Sequence, residues 1–187
     1  MTMMKLEQGR PADLTGRLEK EVRVYDLLDE LGIEYQRIDH EEANTMEACA
    51  EVDKMLGVTI CKNLFMCNRQ QTDFYLLMIE SSKIFKTKYL SAQLGTSRLS
   101  FAPPEFMEEF LDINPGAVSV MGLMNDHGKH VQLVMDKSIY ESEELGCHPC
   151  VSTSSLRMKT ADILEKFLPA VGHDVRVVDL PVIEGEK

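Results

Sequence analysis

Two apolar runs constrain this chain more than any other feature. "GVTICKNLFMC" (57–67) and "DFYLLMI" (73–79) are rich in residues that favour strands and are separated only by the polar "NRQQT". Runs of this length with a short polar break predict a hairpin of two core strands. The rest of the fold must then cover that hairpin.

The flanking segments supply the cover. Leu18, Val22, Tyr25, Leu28 and Leu31 recur at helical spacing and Gly32 follows as a stop, which predicts an amphipathic helix. "IEYQRI" (33–38) alternates as a strand, and Thr45–Met55 reads as a helix with Thr45 as its N-cap. Further helices are expected at Lys86–Leu94, at Pro104–Leu111, where proline suits the first turn, and at Thr160–Leu168. "NPGAVSVMGLMND" (114–126) carries turn signals and a short apolar run. "HVQLVMD" (130–136), "VSTSSL" (151–156) and "DVRVVDL" (174–180) read as strands. Helices and strands interleave without a βαβ rhythm, so the expected class is α+β with a mixed sheet. One domain is expected over 18–182, with 1–17 as a loosely ordered lead-in and 183–187 as a tail.

A chain of 187 residues that is 44% hydrophobic and 27% charged fits one soluble domain. No apolar run approaches the roughly 18 residues of a membrane span and no secretory signal opens the chain, so a cytoplasmic protein is expected. The formal charge of −11 argues against non-specific nucleic-acid binding. A local basic patch could still grip one end of a polynucleotide; Lys83, Lys86, Lys88 and Arg98 come nearest to one.

"GCHPC" (146–150) is the densest chemical word in the chain. Its C-x-x-C spacing admits a redox dithiol or half of a zinc site. A thioredoxin-like dithiol sits early, at a helix start after the first strand; here only 37 residues follow Cys150. Structural zinc needs four ligands, usually from two close pairs, and Cys61 and Cys67 are too far apart to make the second. Five cysteines without an export signal favour reduced thiols, whose commonest role is as small apolar fillers. His148 remains, its backbone biased towards extended geometry by Pro149.

Four words in register support a resemblance: "KNLF" (62–65), "LSFAPPEFMEEFLDINPGAVSVMGLMND" (99–126), "HP" (148–149) and "DILEKFL" (162–168). Together, from about Tyr25 to about Leu180, they resemble the YbaK/prolyl-tRNA synthetase-associated editing domain, and more closely the free-standing prolyl-tRNA deacylases of the ProX type. The resemblance implies a mainly antiparallel sheet with surrounding helices and trans hydrolysis of mischarged tRNA(Pro), most typically the alanyl ester, without metal or other cofactor. The partners implied are the tRNA acceptor end and prolyl-tRNA synthetase, and no membrane. It places catalytic roles on Lys62, Asn63, Asn125 and His148, and substrate binding on Gly122, Gly146, Cys147, Pro149 and Ser152. The spacing at Gly146 is one residue shorter than the family's glycine-to-proline loop, and "CVSTSS" (150–155) departs from the Asn-containing, Thr-rich stretch of many relatives.

These residue types suit the reaction. Ester hydrolysis needs an oriented water and stabilisation of an oxyanion, to which each positioned donor contributes roughly 2.7–4 kcal/mol. Asn63, Asn125 and the N–H groups around Gly146 and Cys147 are suitable donors. Lysine, with a reference pKa near 10.4, is a cation at neutral pH, so Lys62 is expected to act electrostatically on a phosphate, ribose or carbonyl. His148 can hydrogen-bond a ribose hydroxyl or water and move a proton. Two other readings stay open: a non-catalytic tRNA- or synthetase-binding module, and a deacylase for another small ester such as cysteinyl-tRNA. A thiol or zinc protein using Cys147 and Cys150 is the third.

Overall fold

The computed structural model of the chain describes residues 4–43, 45–58 and 60–183; Met1–Met3 of the expected lead-in and 184–187 of the expected tail lie outside the described residues. In chain order the elements are β1 (Leu6–Gln8), α1 (Glu19–Glu30), β2 (Tyr35–Asp39), α2 (Met46–Leu56), β3 (Lys62–Cys67), β4 (Phe74–Ile79), α3 (Thr87–Leu94), β5 (Ser100–Phe101) and α4 (Pro104–Leu111). A 3-10 turn over Val120–Asn125 follows, then β6 (Val131–Asp136), the short α5 (Lys137–Tyr140), β7 (Glu144–Cys147), β8 (Ser154–Lys159), a final helix and β9 (Val175–Val178). That helix starts at Thr160–Asp162, widens into a π turn over Ile163–Phe167 and closes as Leu168–Val171. Pro169 has no N–H to give the preceding turn, which accounts for the local slip in hydrogen-bond register.

The strands form two sheets instead of the single sheet expected. One is antiparallel throughout, in the order β1-β2-β8-β7. The other runs β5-β3-β4-β6-β9, antiparallel through β5, β3 and β4 and parallel through β4, β6 and β9. Strand β4 explains the continuous "FYLLMI" run, since all six residues are buried. Phe74, Leu76 and Met78 enter the main core with α1, α4 and the last helix. Tyr75, Leu77 and Ile79 face a second core closed by Leu90 and Leu94 of α3. Alternate side chains point to opposite faces, so a strand covered on both faces shows no alternation in its sequence. Burying each such side chain contributes about 1.5–3 kcal/mol.

The sheets share the main core and are joined by a backbone bridge. Ile60 pairs with Gly146 in an isolated parallel bridge, and the Cys61 N–H donates to the Gly146 carbonyl at 3.3 Å. A Cβ on Gly146 would stand 3.2 Å from Ile60 Cγ1 and 3.3 Å from Leu56 Cδ2, so the absent side chain lets the two strands approach. Helix α2 lies over this junction. Thr45 Oγ1 caps it by accepting the Ala48 N–H at 3.1 Å, and Gly57 ends it in the left-handed region at φ 83°. Beyond that cap, Arg157 of β8 donates to the Leu56 carbonyl at 3.1 Å.

Part of the expected lead-in is structured. Residues Leu6–Gln8 pair with β2 as an edge strand, held by Arg37, whose side chain is 1% exposed. Its guanidinium pairs with Glu7 and Asp39 and donates from Nε to the Gly9 carbonyl at 3.2 Å. Asp39 also accepts from Arg17 at 2.8 Å and from Ser154 Oγ at 2.6 Å. Arg17 continues to Glu21 at 2.6 Å, which accepts from the Tyr25 hydroxyl at 2.5 Å. Burial alone would raise the Asp39 carboxyl, but hydrogen bonds from Arg17, Ser154 and Arg37 outweigh it and hold the group well below the usual carboxylate range. Among the described residues no helix is long and apolar enough to cross a membrane.

A carboxylate whose folded pKa is depressed contributes stability that is present above its unfolded value, near 3.9, and is lost as pH falls below it. Asp39→Asn is therefore expected to lower unfolding free energy by about 1–2 kcal/mol at pH 7, allowing for its partial exposure. In urea titrations the gap from wild type should shrink steadily below about pH 4.

Candidate active site

The end of β2, the hairpin loop between β7 and β8, helix α2 and the turn at 114–117 surround a two-part cleft. The outer part, about 550 Å³, opens beside Arg17, Lys20 and Asp39. The inner part, about 260 Å³, is lined by His148, Ser155, Val52, Asp53 and Ile60. His40, Glu42, Pro115 and Ser152 belong to both walls, so the two parts are adjacent.

The 148–153 loop is built to present His148. Pro149 restricts the residue before it to extended geometry. Cys150 then turns the chain back with φ 63°, a left-handed conformation that costs an L-residue roughly 1–2 kcal/mol. His148 Nδ1 lies 2.8 Å from the Ser154 carbonyl and closes the loop. A carbonyl can only accept, so Nδ1 carries the proton and the neutral ring keeps its acceptor at Nε2. Burial pushes the imidazole pKa below the usual histidine value; the Ser154 bond opposes this and the neighbouring His40 adds to it. His148 is thus poised as a neutral base on the cleft wall.

His40 is the second imidazole, its ring centroid 6.4 Å from that of His148. Its Nδ1 lies 2.7 Å from the Glu41 carbonyl, so Nε2 accepts from the Ser155 hydroxyl at 2.8 Å. Two carboxylates complete the wall. Glu42 accepts from Ser152 Oγ at 3.0 Å. Asp53 accepts the Ile60 N–H at 3.3 Å through Oδ1, and burial raises its pKa.

The nine residues picked out in the sequence fall into three groups. His148 and Ser152 line the cleft, with Gly146, Cys147 and Pro149 buried behind them. Asn125 and Gly122 pack around the end of α4. Asn125 Nδ2 donates to the Leu111 carbonyl at 2.9 Å, and a Cβ on Gly122 would stand 2.5 Å from Ile113 Cδ1 and 3.1 Å from Leu111 Cβ. They position the chain that runs from Ile113 into the cleft turn. Lys62 and Asn63 begin β3 and point to opposite faces. Asn63 Nδ2 donates to the Cys61 carbonyl at 2.9 Å, and its buried Oδ1 has no hydrogen-bond partner among the described residues. Lys62 stands two residues beyond Ile60, outside the cleft wall, with Nζ on the Lys83 carbonyl at 3.1 Å.

The cysteines of "GCHPC" are free and buried. Burial raises the Cys147 thiol strongly and pushes Cys61 and Cys150 up to about 12, which disfavours the thiolate that redox exchange requires. Sequence reasoning missed His40, Asp53 and Glu42. The His40–Ser155 contact spans 115 residues, and no local pattern reports it.

Two-dimensional NMR of the imidazoles checks this geometry directly. His148 is expected to titrate below 6.5 and to show the Nδ1–H tautomer throughout its neutral range. Because its folded pKa is lowered, it contributes stability above the unfolded value that is lost as pH falls through it.

With the geometry in place, comparison with known proteins gives a consistent result. Residues 40–166 match the model of the aminoacyl-tRNA editing domain, a span that contains all nine residues above. The chain is 30% identical over 153 residues to the prolyl-tRNA editing protein ProX of Acetoanaerobium sticklandii, covering 82% of this chain and 93% of that one. It is 28% identical over 169 residues to the prolyl-tRNA synthetase associated domain-containing protein 1 of Xenopus laevis, covering 88% and 98%. The fold superposes with a TM-score of 0.63 on the crystal structure of a candidate trans-editing enzyme for prolyl-tRNA synthetase, at 16% identity over 88% of this chain and 99% of that one. The chain therefore belongs to the aminoacyl-tRNA editing domain family.

Proposed function

We propose that the protein is a trans-editing deacylase that hydrolyses a small amino acid, alanine first among them, from mischarged tRNA(Pro). One observation carries the reading. The inner cleft, about 260 Å³, holds a neutral histidine with a fixed tautomer beside the half-buried Asp53 carboxylate. The relatives' names, a prolyl-tRNA editing protein and a prolyl-tRNA synthetase associated domain-containing protein, support the tRNA(Pro) part of the reading.

The reaction follows from the groups present. His148 Nε2 accepts a proton from water or from the vicinal ribose hydroxyl as water attacks the ester carbonyl. The tetrahedral adduct collapses, the acyl C–O bond to the ribose breaks, and the departing alkoxide takes the proton back. The products are the free amino acid and an intact tRNA end. N–H groups of the 146–153 loop are the donors nearest to hand for the oxyanion. Lys62, held by a neutral carbonyl, swings to the terminal phosphate. Asp53 receives the substrate's α-ammonium group, which compensates the cost of a half-buried carboxylate. The side-chain pocket selects by size. A single methylene is worth only about 1–3 kcal/mol, which is why a second sieve separate from the synthetase is useful.

Deacylation of a panel of mischarged tRNAs tests the reading. His148→Ala should lower kcat/KM for the alanyl ester by about 100-fold or more, and a full rate in that variant would refute the assignment. Wild-type activity should hold as pH falls to 6.5 and drop only below it, because protonation removes the base and burial has moved that event downwards. Asp53→Asn is expected to raise KM for the alanyl ester about tenfold with little effect on the N-acetylated ester, which has no ammonium to bind. Wild-type binding of tRNA without turnover of any ester would leave a non-catalytic module as the answer.

A further inference from the structure

The chain carries 31 acidic and 20 basic residues, yet residues 81–104 contain Lys83, Lys86, Lys88 and Arg98 and no acidic residue at all. The fold gathers this stretch into a shallow groove of about 710 Å³ between α3 and β5, with Lys86, Lys88, Arg98, Phe85 and Phe101 on its walls. Lys83 turns away from it to pair with the buried Asp136 at 2.6 Å. Lys88 and Arg98 are exposed, and Lys88 Nζ sits 5.0 Å over the Tyr89 ring. Phe101 is 63% exposed on the edge strand of its sheet. A large aromatic ring left in water among cations, on an otherwise anionic molecule, is an arrangement that single-stranded nucleic acid recognises. Phosphates meet the cations and a base stacks on the ring, at about 1–3 kcal/mol per stacked base.

One end of the groove approaches Lys62. Its first residue, Phe85, follows Lys83, whose carbonyl holds Lys62. Lys62 in turn stands two residues, about 7 Å of extended chain, from Ile60 on the inner cleft wall. We propose that this groove binds the phosphate backbone of the RNA acceptor strand, with Phe101 as a stacking platform, and hands the strand past Lys62 to His148. The proposal rests on the deacylase reading for where the strand goes, though not for whether it binds. An acidic protein surface or a second copy of this chain are the competing occupants.

Binding of an uncharged acceptor-stem hairpin ending in CCA, followed by fluorescence anisotropy over a salt series, tests the groove. For the double variant Lys88→Gln, Arg98→Gln, affinity at low salt should fall about tenfold or more. The slope of log K against log salt should become shallower by about 1.5, as expected for two lost phosphate contacts. Phe101→Ala should weaken binding about fivefold or more without changing the slope; thermal unfolding confirms that each variant folds. With alanyl esters on the hairpin and on adenosine alone, the ratio of the two kcat/KM values should fall about tenfold in the double variant, and Lys88→Arg should preserve it. Unchanged hairpin affinity and slope would overturn the groove while leaving the deacylase reading intact. So would a wild-type dimer on size-exclusion chromatography that the double variant dissolves. If the variants alter RNA binding as expected but wild type hydrolyses no ester, the groove stands and the deacylase reading falls.

Discussion

The contact between Gly146 and Ile60 is the constraint on which the rest of the molecule depends. Each sheet has its own ladder of backbone hydrogen bonds. It is the backbone bridge, with Cys61 donating to the Gly146 carbonyl, that fixes the start of β3 against the end of β7. Much of the candidate site lies close to that join: Lys62 and Asn63 on one side, His148 and its loop on the other, and α2 across the top with Asp53 bonded to Ile60. Glycine at 146 is required by distance and not by φ, since a Cβ there would press on Ile60 and Leu56 at 3.2–3.3 Å. A larger residue would part the sheets and widen the cleft from behind.

The ion network at Asp39 fixes the other wall. Ser154 opposes Asp39 across the β2–β8 ladder and donates to it, while the Ser154 carbonyl receives the His148 ring. One residue therefore couples the Arg17–Asp39–Arg37 cluster to the orientation of the candidate base. The next residue, Ser155, does the same for His40. The loop's polar sequence "STSS", which lacks the asparagine of many relatives, still provides a hydroxyl for each of Glu42, Asp39 and His40. Such a wall is rigid where the site needs shape. Among the described residues it leaves Nε2 of His148 outside the network, with its lone pair available.

The legible parts of the fold were those whose burial follows one simple period. Strand β4 is a continuous apolar run because both its faces are covered, and α1 and α4 show one buried stripe each. Strand β1 was hidden because an exposed edge strand, "LEQ", has no apolar face to read. Strand β7 was hidden because "ELGC" is short and carries a glycine whose purpose is a contact 86 residues away in sequence. At the site, His148 was legible because proline and the family words mark it locally. His40 and Asp53 were not, because their significance is purely three-dimensional. Asn125 and Gly122 belong to a word that is easily recognised, yet the structure shows them bracing Leu111–Ile113. A motif records which residues a fold needs together without separating those that react from those that hold the frame.

The charge distribution gives the final link between fold and function. At physiological salt the Debye length is about 8 Å, so a groove with several cations attracts a phosphate strand locally even though the molecule as a whole, at −11, repels it at greater range. Long-range repulsion suppresses non-specific residence on the abundant RNA of the cell, while contact within the groove and the cleft sets the lifetime of the correct encounter. An editing enzyme acting in trans is suited by this balance. It must sample many acceptor ends, most of them correctly charged, and tight general affinity would hold it on substrates it has no reason to cut. An acid-free basic stretch at the proposed groove, near Lys62 and the candidate cleft, would make binding conditional on an acceptor end that reaches both.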